Sequence, residues 1–250
     1  MHVLKIGGNE LNNPTFLRGL AEAVAAASEP AIIIHGGGRA IADLQAQLGL
    51  ETIKVDGQRV TDARSLTVAE MVLSGQANKK IVSALLAGGV DAIGISGVDR
   101  GLLRCKKMLH PTADLGYVGE IVEVRTTVIT QLLENGITPV ISPISLGLDG
   151  QTYNVNADDA ACALASALGA QLLDFVSNVP GVLCDGQVLP ALNPFQVERL
   201  IGSGVICDGM VPKVRAALAA VNRGVPRARI VNLTGLETAG GTSFSRKEAI

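Results

Sequence analysis

Apolar residues along the chain follow two rhythms. Short, nearly unbroken runs rich in Val and Ile alternate with longer stretches in which apolar residues recur every three or four positions. The first kind reads as strands buried on both faces, the second as helices with one apolar stripe. The run over 3–6 predicts a strand, and residues 15–27 predict a helix whose stripe carries Leu17, Leu20, Ala21 and Val24. A second buried strand follows over 31–34, and Gly36-Gly37-Gly38 leads into a helix near 40–48. Strand, helix, strand and helix joined by short glycine-rich junctions indicate a parallel α/β sheet.

The pattern continues to the far end of the chain. Asp56-Gly57 inside the β-type stretch 53–60 signals a hairpin. Helices are expected over 63–73 and 78–87, then strands over 91–96, 102–107 and 117–124, a helix over 128–134 and a strand over 138–142. After a turn at Asp149-Gly150, the polar stretch "YNVNADD" opens an alanine-rich helix, capped by Asn156 or Asp158 and reaching about Leu168. A strand over 172–177, a turn at Asp185-Gly186, helices over 195–201 and 211–223 and a closing strand over 229–232 complete the pattern. Neither linker, repeat nor low-complexity tract interrupts it. The expected architecture is one domain over 1–250, a three-layer αβα sandwich with a mostly parallel central sheet and a loose division near Leu148.

Composition narrows the function classes. With 48% hydrophobic and 18% charged residues, the 250-residue chain reads as globular. Its apolar runs are too short and too often broken for a membrane span, and the N-terminus lacks the pattern of a secretion signal, so a cytoplasmic location is expected. A net charge of −2 and an aromatic content of 2% leave little for binding nucleic acid or an anionic membrane. Cys105, Cys162, Cys184 and Cys207 are widely spaced and read as reduced packing residues. His2, His35 and His110 show no metal-ligand spacing, so no structural metal is expected.

Candidate chemistry gathers at the strand ends. "KIGGNE" and "HGGGRA" each put consecutive glycines after a strand and before a helix, the edge at which open α/β sheets bind ligands. Glycine lets backbone N–H groups approach an anion closely, although a single such loop is more often a tight turn. Neither loop matches the standard nucleotide fingerprints. Lys5 sits within a buried-looking strand, on the face opposite Leu4 and Ile6, where it either snorkels to solvent or meets a charged partner. His35 is read as a hydrogen-bonded structural residue. Asn154, Asn156, Asp158 and Asp159 exceed what capping one helix requires: the surplus is either solvated or orients cations in a phosphate site. Arg59 and Lys213 are each either surface residues or anion clamps, and "SNVPGVLCDG" either wraps a nucleotide or reverses the chain.

Taken in order, "KIGGN", "HGGG", "GQRVTD", "GISGVD", "LLENGITPVISPI", "NVNADDAA", "SNVPGVL", "DGMVPKVRAAL" and "GGTSF" resemble the amino acid kinase family over almost the whole chain. The resemblance implies ATP-dependent phosphorylation of a carboxylate to an acyl phosphate, with Mg²⁺ held mainly by the ATP phosphates and no metal held by the protein. It is strongest to members that act on free N-acetyl-L-glutamate in arginine biosynthesis. Rival expectations are a kinase for 2-aminoadipate or glutamate on an acidic carrier protein in lysine biosynthesis, or an inactive metabolite sensor of the same fold. The small basic cluster Arg104-Cys105-Lys106-Lys107 speaks against the carrier.

Residue by residue, the resemblance implies that Lys5 and Lys213 contact the transferring phosphoryl group and that Asp158 holds their ammonium groups. Gly8 and Gly37 offer N–H groups to the phosphoryl oxygens. Arg59 and Asn154 bind the α-carboxylate of the acceptor and its neighbouring groups, with Gly37 and Gly38 alongside. The nucleotide lies against Ser177, Asn178, Val179, Pro180, Gly181 and Val182, and against Val205, Ile206 and Cys207, with Lys5 and Lys213 at its phosphates. The N-terminal lobe, about 1–148, then binds the acyl substrate and dimerises, and the C-terminal lobe, about 149–250, binds ATP. Arginine-inhibited members carry a helix ahead of the first strand, whereas four residues precede Lys5. An arginine-insensitive homodimer joined through the helical surface of the N-terminal half is therefore expected. Docking of a nitrogen-regulatory signalling protein is left open.

Overall fold

The computed structural model describes residues 1–245; residues 246–250, counted in the single domain expected above, lie outside the described residues. The chain opens with β1 (His2–Ile6), a short 3₁₀ turn and α1 (Pro14–Ala26). The start of α1 is dictated locally: the Asn13 side chain accepts from the N–H groups of Thr15 and Phe16, and Pro14 takes the first helical position. Then come β2 (Ala31–His35) and α2 (Gly38–Gln47). The hairpin of β3 (Lys54–Val55) and β4 (Gln58–Arg59) turns at Asp56 and Gly57, with φ of 46° and 82°, as a two-residue turn matched to strand twist requires.

The two helices expected over 63–73 and 78–87 are one continuous rod. α3 (Ala63–Glu70) passes through a π-helical segment, Met71–Ala77, into α4 (Asn78–Ala87). The stretch around Gly75 widens the helix by a π turn instead of breaking it. β5 (Ala92–Gly97), β6 (Leu103–Lys107), β7 (Gly119–Val124) and α5 (Thr126–Glu134) follow. β8 (Thr138–Gly147) runs well beyond the expected strand end, and β9 (Thr152–Asn154), unforeseen in the sequence, pairs back on it antiparallel.

The second half contributes α6 (Ala157–Ala167), β10 (Leu172–Val176) and the small hairpin of β11 (Leu183–Cys184) and β12 (Gln187–Val188). β13 (Ala191–Leu192), α7 (Pro194–Gly202), α8 (Met210–Asn222) and β14 (Arg227–Val231) come next. The strand expected over 229–232 does not close the chain. Asn232 instead caps α9 (Leu233–Thr238), and β15 (Thr242–Phe244) returns antiparallel to β14.

One sheet, ordered β13-β15-β14-β10-β1-β2-β8-β6-β7 with β5 and β9 also on β8, runs through both halves. Its centre, β14-β10-β1-β2-β8, is wholly parallel. Strand alternation deals side chains to two cores. Val3, Ile32, Ile34 and Phe175 meet Ala161, Leu164 and Ala165 of α6 and Val214 and Ala217 of α8. Leu4, Ile6, Ile33 and Val176 meet Phe16 and Leu20 of α1 and Ile81 and Leu85 of α4. The three layers and the mostly parallel sheet are as expected from the sequence. The C-terminal ends of β1, β2 and β10 reach the same edge.

A buried charge network ties β1, β10 and β14 together. Asp174, fully buried, accepts from Arg229 Nε at 2.7 Å and Nη2 at 2.5 Å, and lies 2.8 Å from His2 Nε2. Burial on its own would raise the Asp174 pKa, but the hydrogen bonds and charges of Arg229 and His2 hold it below the ordinary value. Stability from this carboxylate is therefore complete above the unfolded carboxyl range, near pH 4, and is lost as pH falls through the lower folded value. An Asp174→Asn protein leaves Arg229 buried without its counter-ion, and urea unfolding at neutral pH is expected to show a loss of about 3–5 kcal/mol. The variant should also lack part of the wild-type acid sensitivity; an unchanged acid profile would show that the pair does not set it.

Candidate active site

The two glycine loops meet backbone to backbone. Gly36 N–H donates to Ile6 O at 2.9 Å, holding the start of the second loop against the end of β1. A Cβ on Gly8 would lie 2.6 Å from Gly37 Cα and 2.7 Å from Gly37 N, and one on Gly37 would lie 2.7 Å from Leu73 Cδ2. Only glycine allows this approach. No side chain caps α2, which begins at Gly38, so its first N–H groups are free of a side-chain acceptor and point where an anion would be favoured.

Lys5, between Phe175 and Ile34 in the sheet, has its charged partner on the neighbouring layer. The question of which residue caps α6 has a clear answer. The Asn156 side chain accepts from Asp158 N–H at 2.8 Å, which leaves the Asp158 carboxylate free to meet Lys5, Nζ to Oδ1, at 2.7 Å. Lys213, in the first turn of α8, joins the same group from the other half of the chain. Its half-buried ammonium has a lowered pKa, first because burial disfavours the charge and then because Lys5 repels it, with Asp158 and Glu10 opposing. Lys213 thus stands near enough to the Lys5–Asp158 ion pair to feel both charges, an arrangement with a spare positive charge for an anionic ligand. Asp159 belongs elsewhere: burial chiefly raises its pKa and Arg223 opposes the shift.

Beside this cluster lies a polar cavity of about 180 Å³, bordered by Lys5, Gly37, Gly38, Arg59, Asn154 and Asp158 among others. It is smaller than the pockets of drug-sized ligands. Arg59 arrives preset. Its Nη1 donates to Gln45 Oε1 at 2.6 Å and Thr52 Oγ1 at 3.1 Å, and its Nη2 donates to Gly38 O at 2.7 Å. Three of the five guanidinium N–H donors are thereby engaged, leaving two. Asn154 Nδ2 donates to Thr61 Oγ1 at 3.2 Å, whose hydroxyl donates in turn to Arg59 O at 2.8 Å. Gln45, Thr52 and Thr61 were not singled out in the sequence. For Gln45 a signal existed: it falls one helical turn after Ile41, on the buried stripe of α2, where an amide needs partners. Lys54 of the hairpin also reaches the cavity wall.

The remaining candidates line a different surface. Ser177 follows β10, its N–H donating to Val231 O at 2.9 Å and its hydroxyl accepting from Val179 N–H at 3.3 Å. Val182 N–H donates to Thr242 Oγ1 at 2.8 Å, and a Cβ on Gly181 would lie 2.7 Å from that oxygen, so β15 pins the segment. Asn178 is exposed, Val179 and Pro180 half-buried. Of the stretch before α8, Ile206 is buried while Val205 and Cys207 are exposed. None of these residues borders the polar cavity. A Gly8→Ala substitution is expected to force the two loops apart, lowering stability by about 1–3 kcal/mol in denaturant titration; unchanged stability would refute the close approach.

Comparison with known proteins identifies the family. Residues 1–232 match the model of the amino acid kinase family. An acetylglutamate kinase of Roseiflexus sp. (strain RS-1) is 52% identical over 98% of this chain and 94% of its own. Another, from Chloroflexus aurantiacus (strain ATCC 29366 / DSM 635 / J-10-fl), is 51% identical over 98% and 97%. The crystal structure of smu.665 from Streptococcus mutans UA159 superposes with a TM-score of 0.83 at 28% identity, covering 98% of both chains. On the sequence, the glycine-lined strand ends and the shared fold, the chain belongs to the amino acid kinase family, within its acetylglutamate kinase branch.

Proposed function

We propose that the protein transfers the γ-phosphoryl group of MgATP to the side-chain carboxylate of N-acetyl-L-glutamate, giving N-acetylglutamyl 5-phosphate and ADP for arginine biosynthesis. A carboxylate oxygen attacks the γ-phosphorus while the bond to the ADP oxygen breaks. The acceptor is ionised at neutral pH, so no general base is needed. The difficulty is repulsion between two anions, and catalysis comes from positioning and charge neutralisation.

Lys5 and Lys213 neutralise the transferring phosphoryl group, and Asp158 keeps the two ammonium groups together. Gly8 and Gly37 donate backbone N–H groups to its oxygens. Arg59 takes the α-carboxylate through its two remaining donors, Asn154 binds beside it, and Gly38 completes the acceptor wall. The nucleotide lies over the C-terminal lobe, from about residue 149, against Ser177–Val182 and Val205–Cys207. The observation that carries this reading is the Lys5–Asp158–Lys213 cluster beside a small cavity with a preset arginine. The N-terminal lobe also forms a homodimer through its helical surface, where Met71 and Leu86 are exposed; light scattering at the mass of a monomer would exclude this.

The direct assay follows ADP release and traps the acyl phosphate with hydroxylamine, comparing N-acetylglutamate, glutamate and 2-aminoadipate. Turnover is expected with the first, and its absence would overturn the proposal. Lys5→Ala and Lys213→Ala should each lower kcat by about a hundredfold or more with KM values changed only severalfold, whereas near-normal kcat would remove either lysine from the reaction. Arg59→Ala should instead raise KM for N-acetylglutamate roughly tenfold or more and leave KM for ATP nearly unchanged. Equal effects on both substrates would contradict its assignment.

A further inference from the structure

His35 and Asn78 take no part in the chemistry proposed above, yet both are buried polar residues directly beneath the second glycine loop. His35 closes β2 and is fully buried; Asn78 begins α4 at the end of the π-helical segment and is 1% exposed. The imidazole has one partner at each nitrogen: Nδ1 lies 3.1 Å from Gly36 O, and Nε2 lies 3.2 Å from Asn78 Nδ2. The amide cannot turn over to suit the ring, because the same Nδ2 donates to Val140 O at 2.9 Å and Ile95 O at 3.3 Å. Its other end, Oδ1, accepts from Lys79 Nζ at 3.2 Å. The strand has made room for it: a Cβ on Gly94 would lie 1.8 Å from Asn78 Oδ1.

The consequence is a fixed tautomer. Gly36 O can only accept, so the ring proton resides on Nδ1; Asn78 Nδ2, whose two hydrogens are shared among Val140 O, Ile95 O and the ring, has no lone pair with which to accept from an Nε2–H. Burial pushes the His35 pKa down to about 4, so the ring stays neutral at physiological pH. Gly36 C=O and Gly37 N–H belong to one planar trans peptide, in which the two groups point in opposite directions. Holding the carbonyl down towards the buried ring turns the N–H up, away from the core. Gly37 N emerges beside Gly8, and Leu73 of the π-helical segment packs beneath Gly37.

We propose that Asn78 and His35 are positioning residues that fix the Gly36–Gly37 peptide, so that Gly37 N–H is aimed in advance at the transferring phosphoryl group. The proposal rests on the assignment of Gly37 as a phosphoryl donor. It also gives the π-helical segment a purpose: the wider turn brings both Leu73 and Asn78 under one loop. A donor already aimed needs no reorganisation during the reaction, which is where such donors gain their effect. Loss of the aim should lower kcat and leave the binding of either substrate largely intact.

Three measurements test this. In the intact protein, ¹⁵N chemical shifts of the His35 ring should report the Nδ1–H tautomer at pH 7; the Nε2–H tautomer would overturn the proposal with no variant needed. His35→Leu, verified as folded by thermal melting, should lower kcat by about tenfold or more with KM for both substrates within about threefold. His35→Asn, whose amide can still donate to Gly36 O, should recover most of that loss. Wild-type kcat in His35→Leu, or no recovery in His35→Asn, would overturn it. Incorporating glycolic acid at position 37 replaces the Gly37 N–H by an ester oxygen and also makes the Gly36 carbonyl a weaker acceptor. If the ester lowers kcat and His35→Leu does not, the relay is wrong and the Gly37 donor stands. An ester without effect refutes the Gly37 donor, and the relay with it.

Discussion

The structure turns on a half-buried positive charge at the centre of its sheet. Lys5 sits on β1, flanked by β10 and β2, with apolar neighbours on both sides. An ammonium group so partly withdrawn from water is favoured by a carboxylate at contact distance, and Asp158 supplies it from the first turn of α6. That single pairing orders much else. α6 must lie close over β1 and β2, which its small buried residues Ala160, Ala161 and Ala165 permit. Asn156 must take the capping role so that Asp158 is free. Lys213 then adds a second ammonium group near this pair, and its pKa is lowered first by burial and then by Lys5.

Around this centre the protein sets donors in place before any ligand arrives. Arg59 is held by Gln45, Thr52 and the Gly38 carbonyl; the Gly36 carbonyl is held by His35; Val182 is held by Thr242. Arg59 uses part of its hydrogen-bonding capacity on the protein and keeps the remainder, whereas the other two bonds fix backbone groups. Preorganisation of this kind suits phosphoryl transfer to a carboxylate, where there is little proton transfer to perform and much charge to manage.

The rhythm of apolar positions was sufficient for the three layers and nearly all long elements, because strands buried on both faces and one-stripe helices leave different periodic traces. It failed where the trace is short or ambiguous. The π turn at Met71–Ala77 contains Gly75, which in isolation reads as a break. α9 and β15 are too brief for a period to show, and Asn232 looked like a strand end although it is a helix cap. Among site residues, Gln45 and Asn78 left a legible signal, each an amide on the buried stripe of a helix, but the partner was invisible.

The sequence by itself determined the chemical groups and their local settings. It supplied glycines where backbones must touch, a lysine within a buried strand, an asparagine that caps α6 and an aspartate two residues later. These are consequences of neighbours a few positions apart. Only the tertiary structure decided which of those groups meet. Lys5, Asp158 and Lys213 come together because β1, α6 and α8 occupy adjacent layers, and Gly36 finds Asn78 through a ring on a third element. The choice between a solvated lysine and a phosphate-binding one therefore could not be made on either segment alone, since burial and the distance to a counter-charge are properties of the packed sheet.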